Sequence, residues 1–352
     1  MLLAATAAIL SCDQQPSLKL IVAMAPLSIS KMPIVLAMDQ GLYEKHGLTV
    51  EMWMQPPGSN TVRVYADPLT RLWRATGINT PKAPDIFVDG ATPMMVKLTE
   101  NAGEVHRVAI GGTDCVVRAH IIARKGISSL QELKGKRIGV SAAYTTAGFK
   151  ARLLAQRMSW DPVRDISIVS GISDIEPLLD GSVDAIVGYE EAYAHALRAG
   201  LPILADTSSW QEYVAGNSIN VERDWLKDPG HREAAHRFLQ ATIEGIALYH
   251  NRPELTQEVM EKWYGIHDRE FIRTLYSRGQ WIPRKPYPCY EGYAKTMELY
   301  DSNEMRRYKP TDFYDDSLMR ELDGEGFIDA LYQGKVSSSN AHMPHVGDSE
   351  PR

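Results

Sequence analysis

Leu18-Lys19-Leu20-Ile21-Val22-Ala23-Met24 is a short, mostly apolar run that stops at Pro26, the pattern of a buried strand. From Met32 to Lys45 apolar residues recur at helical spacing (Ile34, Val35, Met38, Leu42), with Pro33 in the first turn and Gly47 past the end, so the spacing predicts a helix. Leu48 to Trp53 alternates apolar and polar positions and predicts a second strand. Short connections between these three elements predict two parallel, adjacent strands with the helix on one face.

The rhythm continues down the chain. Strands are predicted at 85–88, 107–110, 116–123, 137–140, 166–169, 185–187 and 202–204, with helices at 146–157, near 175–179 and near 191–198. Strands alternating with helices indicate a doubly wound α/β sheet. From Val221 to about Ser302 the pattern turns helical, with amphipathic stretches at 232–249 and 255–262. Gln55 to Pro84 fits least well: proline-rich flanks (Pro56-Pro57-Gly58, Pro81 to Pro84) surround a predicted helix at 61–75, read as an insertion at the rim of a cleft. The tail 335–352 is rich in Ser, Asn, His and Pro and is expected to be disordered, so His342 and His345 offer no preorganised metal site.

Length and charge narrow the classes. The chain has 352 residues, and a typical ~150 residues per domain suggests two domains. A hydrophobic fraction of 44% with 23% charged residues excludes a chain dominated by disorder or coiled coil. A net charge of -6 argues against a nucleic-acid partner, which would call for a basic face.

The three cysteines, Cys12, Cys115 and Cys289, form no CxxC unit, which excludes a zinc site of closely spaced cysteine pairs. Met1 to Leu10 is apolar or small throughout, and Ile9-Leu10-Ser11-Cys12 resembles a bacterial lipobox, in which the cysteine is lipidated and becomes the mature N-terminus. Residues 1–17 are therefore expected to be a lipoprotein signal and spacer with lipidation at Cys12, although the charged start of a signal peptide is missing. The competing reading is a frayed apolar N-terminus that ends in a chance cysteine. No later apolar run approaches the ~20 residues of a membrane span.

Four segments together resemble the solute-binding proteins of ABC importers, in the NMT1/THI5-like branch that holds the thiamine-precursor, sulfonate, taurine and nitrate receptors. The first, Pro33-Ile34-Val35-Leu36-Ala37-Met38-Asp39-Gln40-Gly41-Leu42-Tyr43-Glu44-Lys45-His46-Gly47-Leu48, is similar to a family helix and turn. Leu130-Gln131-Glu132-Leu133-Lys134-Gly135-Lys136-Arg137-Ile138-Gly139-Val140 is similar to the segment that begins the second domain, and Leu178 to Glu190 resembles an L-x-x-G-x-V-D-A motif. Asp315 to Leu322 is similar to a late helix.

The resemblance implies a type II periplasmic-binding-protein fold, in which two doubly wound α/β lobes are joined by two crossover strands and close on a ligand. The crossings are expected near 109–115 and 213–219. That divides the chain into a discontinuous first lobe (18–110 plus 216–334) and a second lobe (111–215). It also implies a monomeric, extracytoplasmic, lipid-anchored receptor that works with an ABC permease and its ATPase, with no enzyme activity and no cofactor.

In open α/β sheets ligands bind beyond the carboxyl ends of strands, at helix N-termini. That rule selects four loops: Ser28, Ser30 and Lys31 after the first strand; Asp89 and Thr92; Tyr144, Thr145 and Thr146; and Tyr189 with Glu190. Each has a bland alternative. The threonines are ordinary helix caps, Glu190 favours the positive end of the next helix, and Lys31 is a solvated rim charge.

Tyr144, Tyr189 and Glu190 favour an aromatic N-heterocycle such as a thiamine pyrimidine precursor or riboflavin, a vitamin-uptake role. The alternative is an aliphatic sulfonate, taurine or nitrate held by backbone donors and a cation. A second alternative is an enzyme of the pyrimidine-synthase type on the same fold, which the absent cysteine-rich run disfavours. Ser28-Ile29-Ser30-Lys31 has S-x-x-K spacing, but no SDN or KTG partner accompanies it.

Overall fold

The computed structural model describes residues 17–24, 27–54, 62–66, 73–76, 84–101, 106–265, 267–334 and 336. The signal reading of residues 1–16, including Cys12, and all of the tail reading except Val336 lie outside these residues.

The chain opens with β1 (Leu18–Met24), α1 (Met32–Asp39), α2 (Leu42–Lys45) and β2 (Leu48–Met54). β1 and β2 run parallel from Leu18 opposite Leu48 to Met24 opposite Met54, as the alternation predicts. The single helix expected over 32–45 is two, because the chain turns at Gly41, whose φ of 68° is left-handed.

The helix expected at 61–75 is not formed. β3 (Val62–Ala66) and β4 (Trp73–Thr76) pair antiparallel with each other, and β3 pairs antiparallel with β2. The open edge of β2 supplies a row of backbone partners, and the period-two run Val62-Arg63-Val64-Tyr65 suits a strand better than a helix.

β5 (Ile86–Gly90), α3 (Ala91–Asn101) and β6 (Arg107–Gly112) follow. A second group then forms: β7 (His120–Ala123), β8 (Arg137–Gly139), α4 (Thr146–Arg157), β9 (Ser167–Val169), α5 (Glu176–Leu179), β10 (Ala185–Gly188), α6 (Glu190–Ala199) and β11 (Ile203–Asp206). β12 (Asn217–Glu222) returns to the first group and is followed by α7 (Pro229–Asn251), α8 (Pro253–Tyr264), α9 (Arg269–Arg278), α10 (Tyr290–Leu299), α11 (Ser317–Gly324) and α12 (Phe327–Leu331). The result is a seven-stranded sheet in the order β4-β3-β2-β1-β5-β12-β6 and a five-stranded sheet in the order β11-β7-β10-β8-β9.

The strand expected over 116–123 is confined to β7, because residues 113–119 cross from one sheet to the other. Val116 meets Tyr213 there in an isolated antiparallel bridge, and Val117 N–H donates to the Glu212 carbonyl at 2.8 Å. The two crossings thus lie side by side. Cys115, on the first crossing, is disulfide-bonded to Cys289, the N-cap of α10, with 5.2 Å between the Cα atoms and 174 residues between them in sequence. Sequence reasoning assigned neither cysteine a role.

Each sheet has its own core. Leu20, Val22, Ile34, Phe238 and Ile246 belong to the first, where α7 packs along α1, and Tyr43 stacks on Phe238 at 4.9 Å. Ile121, Ile138, Ala151, Leu154 and Val187 belong to the second. Two of the resembling segments meet in that lobe, where the Asp184 carboxylate accepts from the Arg137 Nε and backbone N–H, both at 3.0 Å, and from the Arg124 Nε at 3.0 Å. The Arg137 hydrogen bonds, aided by Arg124, hold the Asp184 carboxyl far below the usual carboxylate range despite its burial.

Candidate functional site

The ends of β1 and β5, the first crossing, α4 and the start of α6 converge between the two sheets, and the charged side chains collect there. Lys31, the N-cap of α1, is buried at 7% exposure, and burial lowers its ammonium to about 8 against the pull of Asp89 and Asp114. Its loop is pinned to the crossing by the Thr113 hydroxyl, which donates to the Ser30 carbonyl at 2.5 Å, while the Ser28 and Ser30 hydroxyls share a 3.0 Å bond. Asp89, at the end of β5, accepts from Asn220 Nδ2 at 2.7 Å; burial raises its carboxyl, opposed by Arg107 and Lys31.

From the second lobe comes Lys150, fully buried in the middle of α4. Its ammonium donates to the Arg118 carbonyl at 2.6 Å and sits 4.4 Å from the centre of the Tyr189 ring. Burial lowers it to about 8, opposed by Asp114 and Glu190.

The crossing contributes Asp114 and Arg118. Burial raises the Asp114 carboxyl to about 6, and its Oδ1 has no hydrogen-bond partner among the described residues. The Arg118 guanidinium lies 4.2 Å from the centre of the Trp281 ring and is lowered by burial to about 10, opposed by Asp114, Glu190 and Asp206.

The buried Lys31 and Lys150 and the half-buried Arg118 therefore face the half-buried Asp89, Asp114 and Glu190 in one cluster between the lobes. In a low-dielectric setting each charge acts strongly on whatever enters. Displacing or protonating one carboxylate leaves a net positive cluster that suits a small anion, and a zwitterion can meet both signs.

Of the sequence-selected residues, Lys31, Asp89, Tyr189 and Glu190 are brought together here. Thr92 is fully buried and its hydroxyl donates to the Ala215 carbonyl at 3.0 Å, tying α3 to the second crossing. Thr145 holds the N-cap position of α4, yet its hydroxyl donates to the Ala142 carbonyl at 2.6 Å and makes no cap bond. Thr146 stands so close to Gly90 that a Cβ added there would lie 2.8 Å from its Oγ1, so the ends of the two lobes touch at that point. Tyr144 is 40% exposed, with the Lys97 ammonium 4.5 Å from its ring centre.

Sequence reasoning missed Asp114, Arg118 and Lys150. A signal existed for each. Asp114 lay within the expected crossing and Arg118 just beyond it, and Lys150 interrupts the apolar stripe Ala147-Ala151-Leu154 that α4 turns inward.

Among the described residues, hydrogen bonds tie the lobes together on both sides of this cluster. On one side α6 meets α9, where Arg198 Nη2 donates to Asp268 Oδ2 at 2.6 Å and Arg278 Nη1 lies 2.9 Å from His120 Nε2. On the other, the Tyr300 hydroxyl donates to the Ala143 carbonyl at 2.9 Å.

Residues 108–256 match the family model described as NMT1/THI5 like. No curated protein sequence matches the chain. Among solved structures of similar fold, the periplasmic aliphatic sulphonate-binding protein of Escherichia coli is 18% identical with a TM-score of 0.58, the alignment covering 87% of this chain and 92% of that one. The periplasmic nitrate-binding protein of Synechocystis PCC 6803 is 10% identical with a TM-score of 0.61, over 88% of this chain and 89% of that one. The desulfurization enzyme DSZB is 12% identical with a TM-score of 0.60, over 86% and 99%. The architecture is the two-lobed type II periplasmic-binding-protein fold.

Proposed function

We propose that this chain, NMT1/THI5-like over residues 108–256, is an extracytoplasmic solute receptor that captures a small organic or inorganic anion and delivers it to an ABC importer. The observation that carries this reading is the supply of Lys31, Arg118 and Lys150 by the first lobe, the crossing and the second lobe to one cluster in which both lysines are buried. An anion held there draws on both lobes and stabilises their closure. The closing units are taken as 18–110 with 216–334 and 111–215, hinged at the paired crossings and acting as a monomer.

The ligand classes favoured are an aliphatic sulfonate, the aminosulfonate taurine, or nitrate. Asp114 and Glu190 would receive an ammonium group where the ligand carries one. The aromatic heterocycle fits less well, because the Tyr144 and Tyr189 rings already carry the ammonium groups of Lys97 and Lys150. Binding rather than turnover is favoured as well: the two described cysteines are bonded to each other, which removes a thiol nucleophile, and the Ser28 and Ser30 hydroxyls bond to one another. Anchoring through a lipid at Cys12 remains part of the proposal and is tested by metabolic labelling with a fatty acid, lost on Cys12→Ser.

The deciding experiment is a thermal-shift screen of the purified protein against methanesulfonate, taurine, nitrate, an aminopyrimidine and riboflavin. A ligand at a hundred times its Kd stabilises by about 2.7 kcal/mol. Stabilisation by an anion is expected; stabilisation by the heterocycles alone reverses the ligand class, and conversion of a candidate without stabilisation overturns the receptor reading.

A further inference from the structure

A cavity of about 230 Å³ lies between α6 of the second lobe and α9 of the first. Its walls are Glu190, Tyr193 and Leu197 on one side and Phe271, Leu275 and Arg278 on the other. Glu190 belongs both to this wall and to the charge cluster, where it faces Asp114, Arg118 and Lys150. The cavity therefore adjoins the cluster on one side and opens toward solvent beside Leu197, which is 54% exposed.

Beside its apolar residues the wall carries the polar Asp268, Glu270 and Thr274. The Tyr193 ring is stacked on His120 at 3.9 Å between centroids and carries the Arg278 guanidinium 4.3 Å from its centre. Phe271 has the Arg198 guanidinium 5.3 Å from its ring centre, and Arg198 is bonded across the lobes to Asp268. The guanidinium groups are thus engaged by the rings, and Leu197, Leu275 and Phe271 supply the apolar part of the wall. A dry apolar cavity of about 150 Å³ is enough for a benzene ring, so this one has room for a ring or a short alkyl chain.

We propose that this cavity is a tail subsite: it takes the apolar part of an organic anion whose head group sits among Lys31, Arg118 and Lys150. The proposal rests on the anion-receptor reading and narrows it, since an organosulfonate with an aryl or alkyl tail then outcompetes nitrate and methanesulfonate. A tail lodged between α6 and α9 touches both lobes and adds apolar burial to their closure.

The test is calorimetric titration of the full chain with methanesulfonate and with benzenesulfonate, in the wild type, in Leu197→Trp, which fills the mouth, and in Phe271→Ala, which removes a wall. Wild type is expected to prefer benzenesulfonate by about tenfold or more, the scale of a well-filled apolar pocket. The ratio of the two affinities should fall toward one in both variants. Circular dichroism confirms that each variant is folded, and Leu197, being half exposed, tolerates replacement without disturbing a core. Equal wild-type affinities, or a preference that survives both variants, overturns the tail subsite and leaves the anion receptor standing. Binding of neither sulfonate overturns both.

Discussion

The Lys150 ammonium lies 4.4 Å above the centre of the Tyr189 ring and donates at the same time to the carbonyl of Arg118 at 2.6 Å. One lysine on a helix of the second lobe therefore fixes an aromatic wall, anchors the crossing segment and supplies charge to the cluster. That charge sits next to groups poised near neutrality, which makes the site sensitive to pH.

Anion affinity should fall as pH rises, in two steps. The Asp114 carboxyl, raised by burial to about 6, loses its negative charge when protonated, so affinity increases as pH drops from 7 to 5. The Lys31 and Lys150 ammonium groups, lowered by burial to about 8, lose their positive charge above it, so affinity decreases between pH 7 and 9. Titration with a sulfonate at pH 5, 7 and 9 checks the sign; an affinity that rises with pH places the cluster outside the site.

Removing the charge of Lys150 while keeping its length isolates its part in binding. Lys150→Met should weaken anion binding by about 2 kcal/mol or more, the usual scale for truncating a buried charged partner, or about thirtyfold in Kd. Lys150→Arg should recover part of the loss. A Lys150→Met protein that is folded and binds the anion at wild-type strength would remove this residue from the site.

The Tyr300 hydroxyl, which donates to the Ala143 carbonyl at 2.9 Å, is a latch that exists when the lobes are together. Tyr300→Phe deletes that bond, worth about 1 kcal/mol, without disturbing the ring. Closure becomes less favourable, so ligand affinity should drop about fivefold. Small-angle scattering of the unliganded variant should show a larger radius of gyration than wild type, and identical affinity and dimensions would argue that the bond takes no part in closure.

The Cys115–Cys289 disulfide ties the first crossing to the N-terminus of α10 across 174 residues. Cys289→Ser, or reduction of the wild type, should cost about 2–5 kcal/mol of stability. Chemical denaturation with and without reductant measures this, and Cys289→Ser should be insensitive to reductant. Equal midpoints for oxidised and reduced wild type would mean that the bridge contributes nothing to the fold.

The resembling segments were legible because they are built into the scaffold. Tyr43 packs on Phe238, Asp184 clasps Arg124 and Arg137, and Asp316 accepts from the Tyr290 hydroxyl at 2.7 Å. These residues reveal the fold and say little about the ligand. The candidate cluster was half legible: Lys31, Asp89, Tyr189 and Glu190 follow from the rule that ligands gather beyond strand ends. Asp114 and Arg118 escaped it because they lie on a crossing rather than at a strand end, and Lys150 because it sits inside a helix.

Apolar patterning along the chain was sufficient to place β1, α4, α6 and β10: β1 buries alternate residues, β10 is a short apolar run buried at every position, and α4 and α6 carry apolar residues at helical spacing. It could not place β3 and β4, whose pairing depends on the free edge of β2, nor could it join Cys115 to Cys289. The charge cluster belongs to the same class. Its members are drawn from residues 31, 89, 114, 118, 150 and 190, and their charges act on one another only where the crossings set the two lobes face to face and exclude the water that otherwise screens them.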